Sequence, residues 1–270
     1  MSGAASTMQT AGLRGFTLIE MVMVIVLLAI VATISVRFVS LSTQGALDVS
    51  ARQQRSLAGV VISEQLSREL REALPTSIRT NSNGSCLEWM PILAASNYLT
   101  LPNASSPDRF EAVPLPYNRS ATGRVVVYGY GEDLYEPKDP GPISPPATMP
   151  SGTAAVTVQF AGGATHQFAS RSPERRFYLA ASPVTVCQAG AYLFRYRDYG
   201  LNKAVATALP ASHPKREVLA ANLVSGSVRF QVEPPSQKRA AVVSFRFEIS
   251  DAQSGETTAF DQEVQVRNVP

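Results

Sequence analysis

The sequence predicts an α+β chain: one long N-terminal helix, apolar in its first part, packed on an antiparallel β-rich head. Three observations carry this expectation. An almost unbroken apolar run occupies Phe16 to Val36 and holds a single carboxylate, Glu20. No proline occurs from Arg37 to Ala73. After Pro75 the pattern changes to short alternating segments separated by turn signals, which is how half-buried antiparallel strands read.

The apolar run comes first. As a helix, Phe16 to Val36 is about 31 Å long, enough to cross a bilayer. A removed secretory signal is the competing reading. Such a signal has a basic n-region, a shorter apolar core and a small-residue cleavage site. Here Met1 to Leu13 carries no charged side chain, Arg14 touches the apolar run, and no Ala-x-Ala site follows it. A retained membrane helix over 16–36 fits these residues better. Arg14 then stays on the cytoplasmic side, with Arg37 opposing that bias, and residues from about 40 onward lie outside the cytoplasm. Glu20 stands out, because an ionisable group at the centre of a membrane helix costs about 2.5–3.5 kcal/mol and marks a functional position. Four residues into the helix it could also snorkel, or serve the helix dipole.

The helix is expected to continue beyond the membrane. Ile62, Leu66, Leu70 and Ala73 form one apolar stripe, Glu64 precedes Arg68 by one turn, and Pro75 ends the pattern. The expected organisation is therefore a leader over 1–15, a helix over 16–74 and a head over 75–270. Gly45 and Gly59 each weaken the helix by about 1 kcal/mol relative to alanine, and the Ser/Thr-rich stretch around Gly45 is the expected place for a break.

In the head, strands are expected at Arg124–Tyr130, Ala154–Phe160, Arg176–Ala180, Val184–Cys187 and Tyr192–Arg197. Further ones are expected around Val228–Val232, Val243–Ile249 and Val264–Val266. The proline- and glycine-rich segment Glu136 to Gly152 reads as a long surface loop. Cys86 and Cys187, an even number in an oxidising compartment, fit either a disulfide or two separate buried thiols. A bridge would close a loop of about 100 residues, worth roughly 4–5 kcal/mol in the chain-entropy model.

Composition excludes more than it assigns. A net charge of +3 with no basic stripe argues against nucleic acid. His166 and His213 belong to no nucleophile elbow, zinc helix or phosphate loop, and read as surface residues, so no enzyme activity and no cofactor are expected. An acidic loop, Glu132, Asp133, Glu136 and Asp139, has ligand types that suit calcium but matches no EF-hand spacing; solvated acids are the expected reading, and no metal is assigned.

The run Arg14-Gly15-Phe16-Thr17-Leu18-Ile19-Glu20 resembles the prepilin cleavage motif of type IV pilins and type II secretion pseudopilins. The resemblance implies a type IV pilin-like fold, cleavage between Gly15 and Phe16 by a prepilin peptidase, and methylation of the new Phe16 amine. It also implies a role for Glu20 in assembly, pairing with the Phe16 amine of a neighbouring subunit. Downstream, Ser67 to Ala73 is similar to the helix end of the larger minor pilins of the PilW and type II secretion J-type group. The segments Cys86 to Ile92, Val184 to Cys187, Leu193 to Tyr199 and Glu263 to Pro270 are similar to the MSHA pilus biogenesis (MshO-type) minor pilins. The implied partners are other major and minor pilins, the membrane and an inner-membrane assembly platform. The implied location is the inner membrane with the head in the periplasm, then the pilus. A tip adhesin using 97–122 and 136–152, and a membrane-anchored exported enzyme, are the alternatives.

Overall fold

The computed structural model describes residues 15–252 and 254–267. Residues 1–14 of the expected leader, Arg14 among them, and the closing residues Asn268, Val269 and Pro270 lie outside the described residues. One helix, α1 (Leu18–Arg71), is followed by β1 (Arg79–Thr80), β2 (Cys86–Trp89), β3 (Ile92–Asn97), β4 (Arg109–Ala112), β5 (Ala121–Val126), β6 (Ile143–Met149) and β7 (Val156–Phe160). Then come β8 (Arg176–Ala180), β9 (Val184–Ala189), β10 (Tyr192–Tyr196), β11 (Arg216–Ala220), β12 (Arg229–Glu233), β13 (Ala241–Ser250) and β14 (Thr257–Val266). One long helix with an apolar start, followed by antiparallel sheets, is an α+β, type IV pilin-like architecture.

The chain divides into two units at Gln53/Gln54. In the first, α1 exposes its apolar side chains all round, Leu18 to Val39 included. A helix apolar on every side suits lipid. Two of its threonine hydroxyls bond back into the helix: Thr33 Oγ1 donates to the Ala29 carbonyl, and Thr43 Oγ1 to the Val39 carbonyl at 2.8 Å. The helix runs unbroken through Gly45, where a break was expected. A lone glycine costs only about 1 kcal/mol, too little to end a helix this long.

In the second unit the predicted stripe is buried: Ile62, Leu66 and Leu70. They pack against Leu87, Trp89, Val186 and Leu193 of the sheet ordered β1-β2-β9-β10-β11, and against Phe230, Val243, Phe245, Phe247 and Val264 of the sheet ordered β12-β13-β14. Arg55 closes this arrangement. Its Nη1 lies 3.1 Å from Asp251 and its Nη2 2.7 Å from Glu256, both on the β13–β14 hairpin. Gly59 meets the Phe260 ring so closely that no Cβ fits between them. A side chain at this second glycine of α1 would have to displace the half-buried Phe260 ring.

The third sheet, β3-β8-β5-β6-β7-β4, has its own core of Phe110, Val125, Met149, Val158, Phe160, Phe177 and Leu179. Two expectations are corrected here. The strand expected over 124–130 is β5 and ends at Val126; Tyr128 already adopts φ 50°. The segment expected as a surface loop contains β6, an interior strand carrying Pro145 and Pro146. Proline removes a ladder donor, so it survives in a sheet only where none is needed. The β6–β7 ladder is made at Ala147 and Thr148, beyond the prolines. On the other side Pro146 faces Arg124, where the β5–β6 register shifts, and the Ser144 hydroxyl accepts the Val125 N–H at 3.0 Å.

Candidate functional site

Within the N-terminal motif, Gly15, Phe16 and Thr17 are non-helical chain. Gly15 has no heavy atom within 4 Å of where a Cβ would stand, and Phe16 is exposed. The helix then starts on a reciprocal cap. The Thr17 N–H donates to Glu20 Oε2 at 2.9 Å and the Thr17 hydroxyl donates to the same oxygen at 3.0 Å. The Glu20 N–H closes the box onto the Thr17 hydroxyl at 3.3 Å. A threonine followed three residues later by glutamate is the capping-box sequence. Glu20 is thus held by its own helix start, and both contacts fall on one carboxylate oxygen.

Residues 13–36 match the family model of the prokaryotic N-terminal methylation motif. Gly15, Phe16 and Glu20 all lie inside it. The motif and the apolar helix behind it give the chain a membrane-anchoring, type IV pilin-like N-terminus. No curated protein and no solved structure matches the chain.

The head has a polar centre built on the β2–β9 pair. Cys86 and Cys187 face each other across the two strands and are joined as a disulfide. Two residues on, Glu88 faces Thr185, both fully buried. One Glu88 oxygen meets Arg79 Nε and Nη2, each at 2.6 Å; the other accepts the Tyr199 hydroxyl at 2.8 Å and the Thr185 hydroxyl at 3.3 Å. Arg79 also stacks 3.4 Å over the Tyr135 ring and donates to the carbonyls of Asn202 and Lys203. Burial, reinforced by the Glu88 charge, pushes the hydroxyls of Tyr199 and Tyr135 far above the usual phenol range, so both remain donors. Tyr135 donates to the Ser77 carbonyl at 2.7 Å.

This centre fastens a loop. The disulfide, Phe194 and Tyr196 sit on the sheet face turned away from α1, and Tyr199, Val205, Ala206 and Leu209 cover them. Further along the same sheet Arg195 bridges Glu69 of α1 at 2.5 Å and Glu217 of β11 at 2.7 Å. The Arg195 hydrogen bond holds the Glu217 carboxyl below the usual range.

The sequence did not single out Glu88 or Arg79. Alternation along Cys86-Leu87-Glu88-Trp89 places Glu88 on a wet face, whereas all four residues are buried. The only signal was its spacing of two from a cysteine, which put it beside the bridge. His166, read as a surface residue, is buried. Its Nε2 lies 3.1 Å from the Gly141 carbonyl, and Phe160 and Phe168 meet its ring edge-on. The acidic loop does not converge. Asp133 accepts the Tyr135 N–H, Asp139 accepts the Gln167 N–H, and Glu136 pairs with Lys203. Among the described residues no group of three or more His, Cys, Asp or Glu side chains is placed to hold a metal.

Proposed function

We propose that the chain is a minor pilin that initiates or caps assembly of a type IV pilus of the MSHA type, nearest in its segment pattern to the MshO-type proteins. The observation that carries the proposal is the methylation motif over 13–36, placed directly before an apolar helix and a β-rich head. In this reading the leader 1–15 is removed by a prepilin peptidase and Phe16 is methylated. Residues 16–36 anchor the chain in the inner membrane, and the periplasmic head meets other major and minor pilins on the assembly platform. Glu20 serves assembly by pairing with a neighbouring amine, which in a lipid environment gains far more from pairing than in water. The role is structural, without catalysis.

The loops that an adhesin reading would use contain β4 and β6. Their deletion would remove strands of the six-stranded sheet, which weakens that alternative and its loop-deletion test alike.

Gly15→Val tests the proposal. In cells with the cognate peptidase the variant keeps its leader, while the parent chain has the mass of Phe16–Pro270 plus one methyl group. Efficient trimming of the variant, or an uncut and unmethylated parent, overturns it.

A further inference from the structure

We infer that β14 is a docking edge for a basic β-strand of another protein. The sheets end in strands of very different length. β1, β4, β11, β12 and β3 run for 2, 4, 5, 5 and 6 residues, while β14 runs for 10. Short edges, prolines, lysines and bulges are how proteins stop an open edge from recruiting another chain. β14 has none of these, and its only charged side chains are Asp261 and Glu263. Its sequence, Thr-Thr-Ala-Phe-Asp-Gln-Glu-Val-Gln-Val, contains no Pro, Gly, Lys or Arg, and its pairing with β13 is continuous over all ten residues. On its free side every second residue turns its N–H and C=O outward. The opposite edge of the same sheet is met by the turn before β2, where the Phe230 N–H donates to the Gly84 carbonyl at 2.7 Å.

The charges select the occupant. Asp261 and Glu263 lie two apart on one face of β14 and are exposed, with Arg246 and Ser244 of β13 directly across from them on the inner side. Two copies related by a two-fold axis would pair antiparallel with like faces on the same side. Near-full overlap would then set acid opposite acid, and like charges directly across a ladder are destabilising. Self-pairing is thereby disfavoured, and a strand with Lys or Arg at alternate positions gains where a second copy loses. Main-chain bonds supply the affinity in such strand addition, and alternate side chains supply the choice of partner. The inference stands apart from the pilin reading, because the test below needs neither processing nor pili.

The test uses the full chain in detergent micelles and two synthetic nine-residue peptides, valine alternating with lysine and valine alternating with glutamate. The chain's net charge of +3 favours the acidic peptide in any non-specific association. The expected result is the reverse: the lysine peptide slows amide exchange in 257–266 and binds roughly twofold to thirtyfold tighter than the glutamate peptide, the range set by two cross-strand charge pairs. Asp261→Lys with Glu263→Lys, both on the wet face, inverts the preference. Absence of protection in 257–266 with either peptide overturns the inference. So does a preference unmoved by the double substitution, or protection that grows with protein concentration alone.

Discussion

Removing the Glu88 side chain is the most informative perturbation of the head. Glu88 is fully buried and Arg79 is about one-fifth exposed, so Glu88→Ala leaves a largely buried guanidinium without its counter-charge. Breaking one partner of a buried pair costs about 3–5 kcal/mol. For a unit of this size each kcal/mol moves Tm by about 2–4 °C, which gives a fall of about 6–20 °C. The Tyr199 and Thr185 hydroxyls are left with only their mutual bond, so one of the two donors loses its acceptor as well, which favours the upper half of that range. Thermal unfolding of the full chain in detergent, followed by near-ultraviolet circular dichroism, measures this. Arg79→Leu and the double variant complete a cycle. The double variant should recover part of the loss, because no buried charge remains, but only part, since Arg79 also holds the Asn202 and Lys203 carbonyls. A Glu88→Ala loss below about 1 kcal/mol, or a coupling below about 0.5 kcal/mol, would refute the reasoning.

Three further outcomes follow from the same geometry. Cys86→Ala with Cys187→Ala, opening a bridge between residues 101 apart, should cost about 4–5 kcal/mol in denaturant unfolding, and reductant should cost the parent chain the same. Gly59→Val should cost about 1–3 kcal/mol by driving Phe260 from its seat; an unchanged midpoint would mean the ring has room to move. Burial depresses the His166 pKa below its ordinary 6.5, outweighing the Gly141 bond and the Asp139 charge. The unfolded chain therefore takes up this proton first, so stability from this group is complete above about pH 6.5 and falls as pH drops through the folded pKa. Denaturant midpoints at pH 7.5 and 5.5 should converge in His166→Gln; equal slopes in parent and variant would dismiss the effect.

What was legible in the sequence was periodic. The stripe Ile62, Leu66, Leu70 and the alternation in β7, β12, β13 and β14 each report a single buried face, and each was readable. Illegible parts depend on contacts distant in the chain. β6 is a strand because its prolines fall where its neighbours ask for no donor, a fact about β5 and β7. Glu88 is buried because a loop more than a hundred residues later folds over its sheet face, and no local pattern records that. His166 is buried for the same kind of reason, between the Gly141 carbonyl and two phenylalanine rings. Of the N-terminal motif, the residues were legible and the reciprocal cap was not drawn from them.

That cap has a consequence for timing. Among the described residues it uses only Thr17 and Glu20, so severing the chain at Gly15–Phe16 takes away none of these three bonds. Fixing a glutamate side chain costs up to about 1.5–2 kcal/mol of rotamer freedom, and here Thr17 helps to meet that cost as the helix forms. With Oε2 committed to Thr17, Oε1 is left outside the cap at a settled angle. Under the proposed pairing, a neighbouring amine would find an acceptor already aimed, and need not order it.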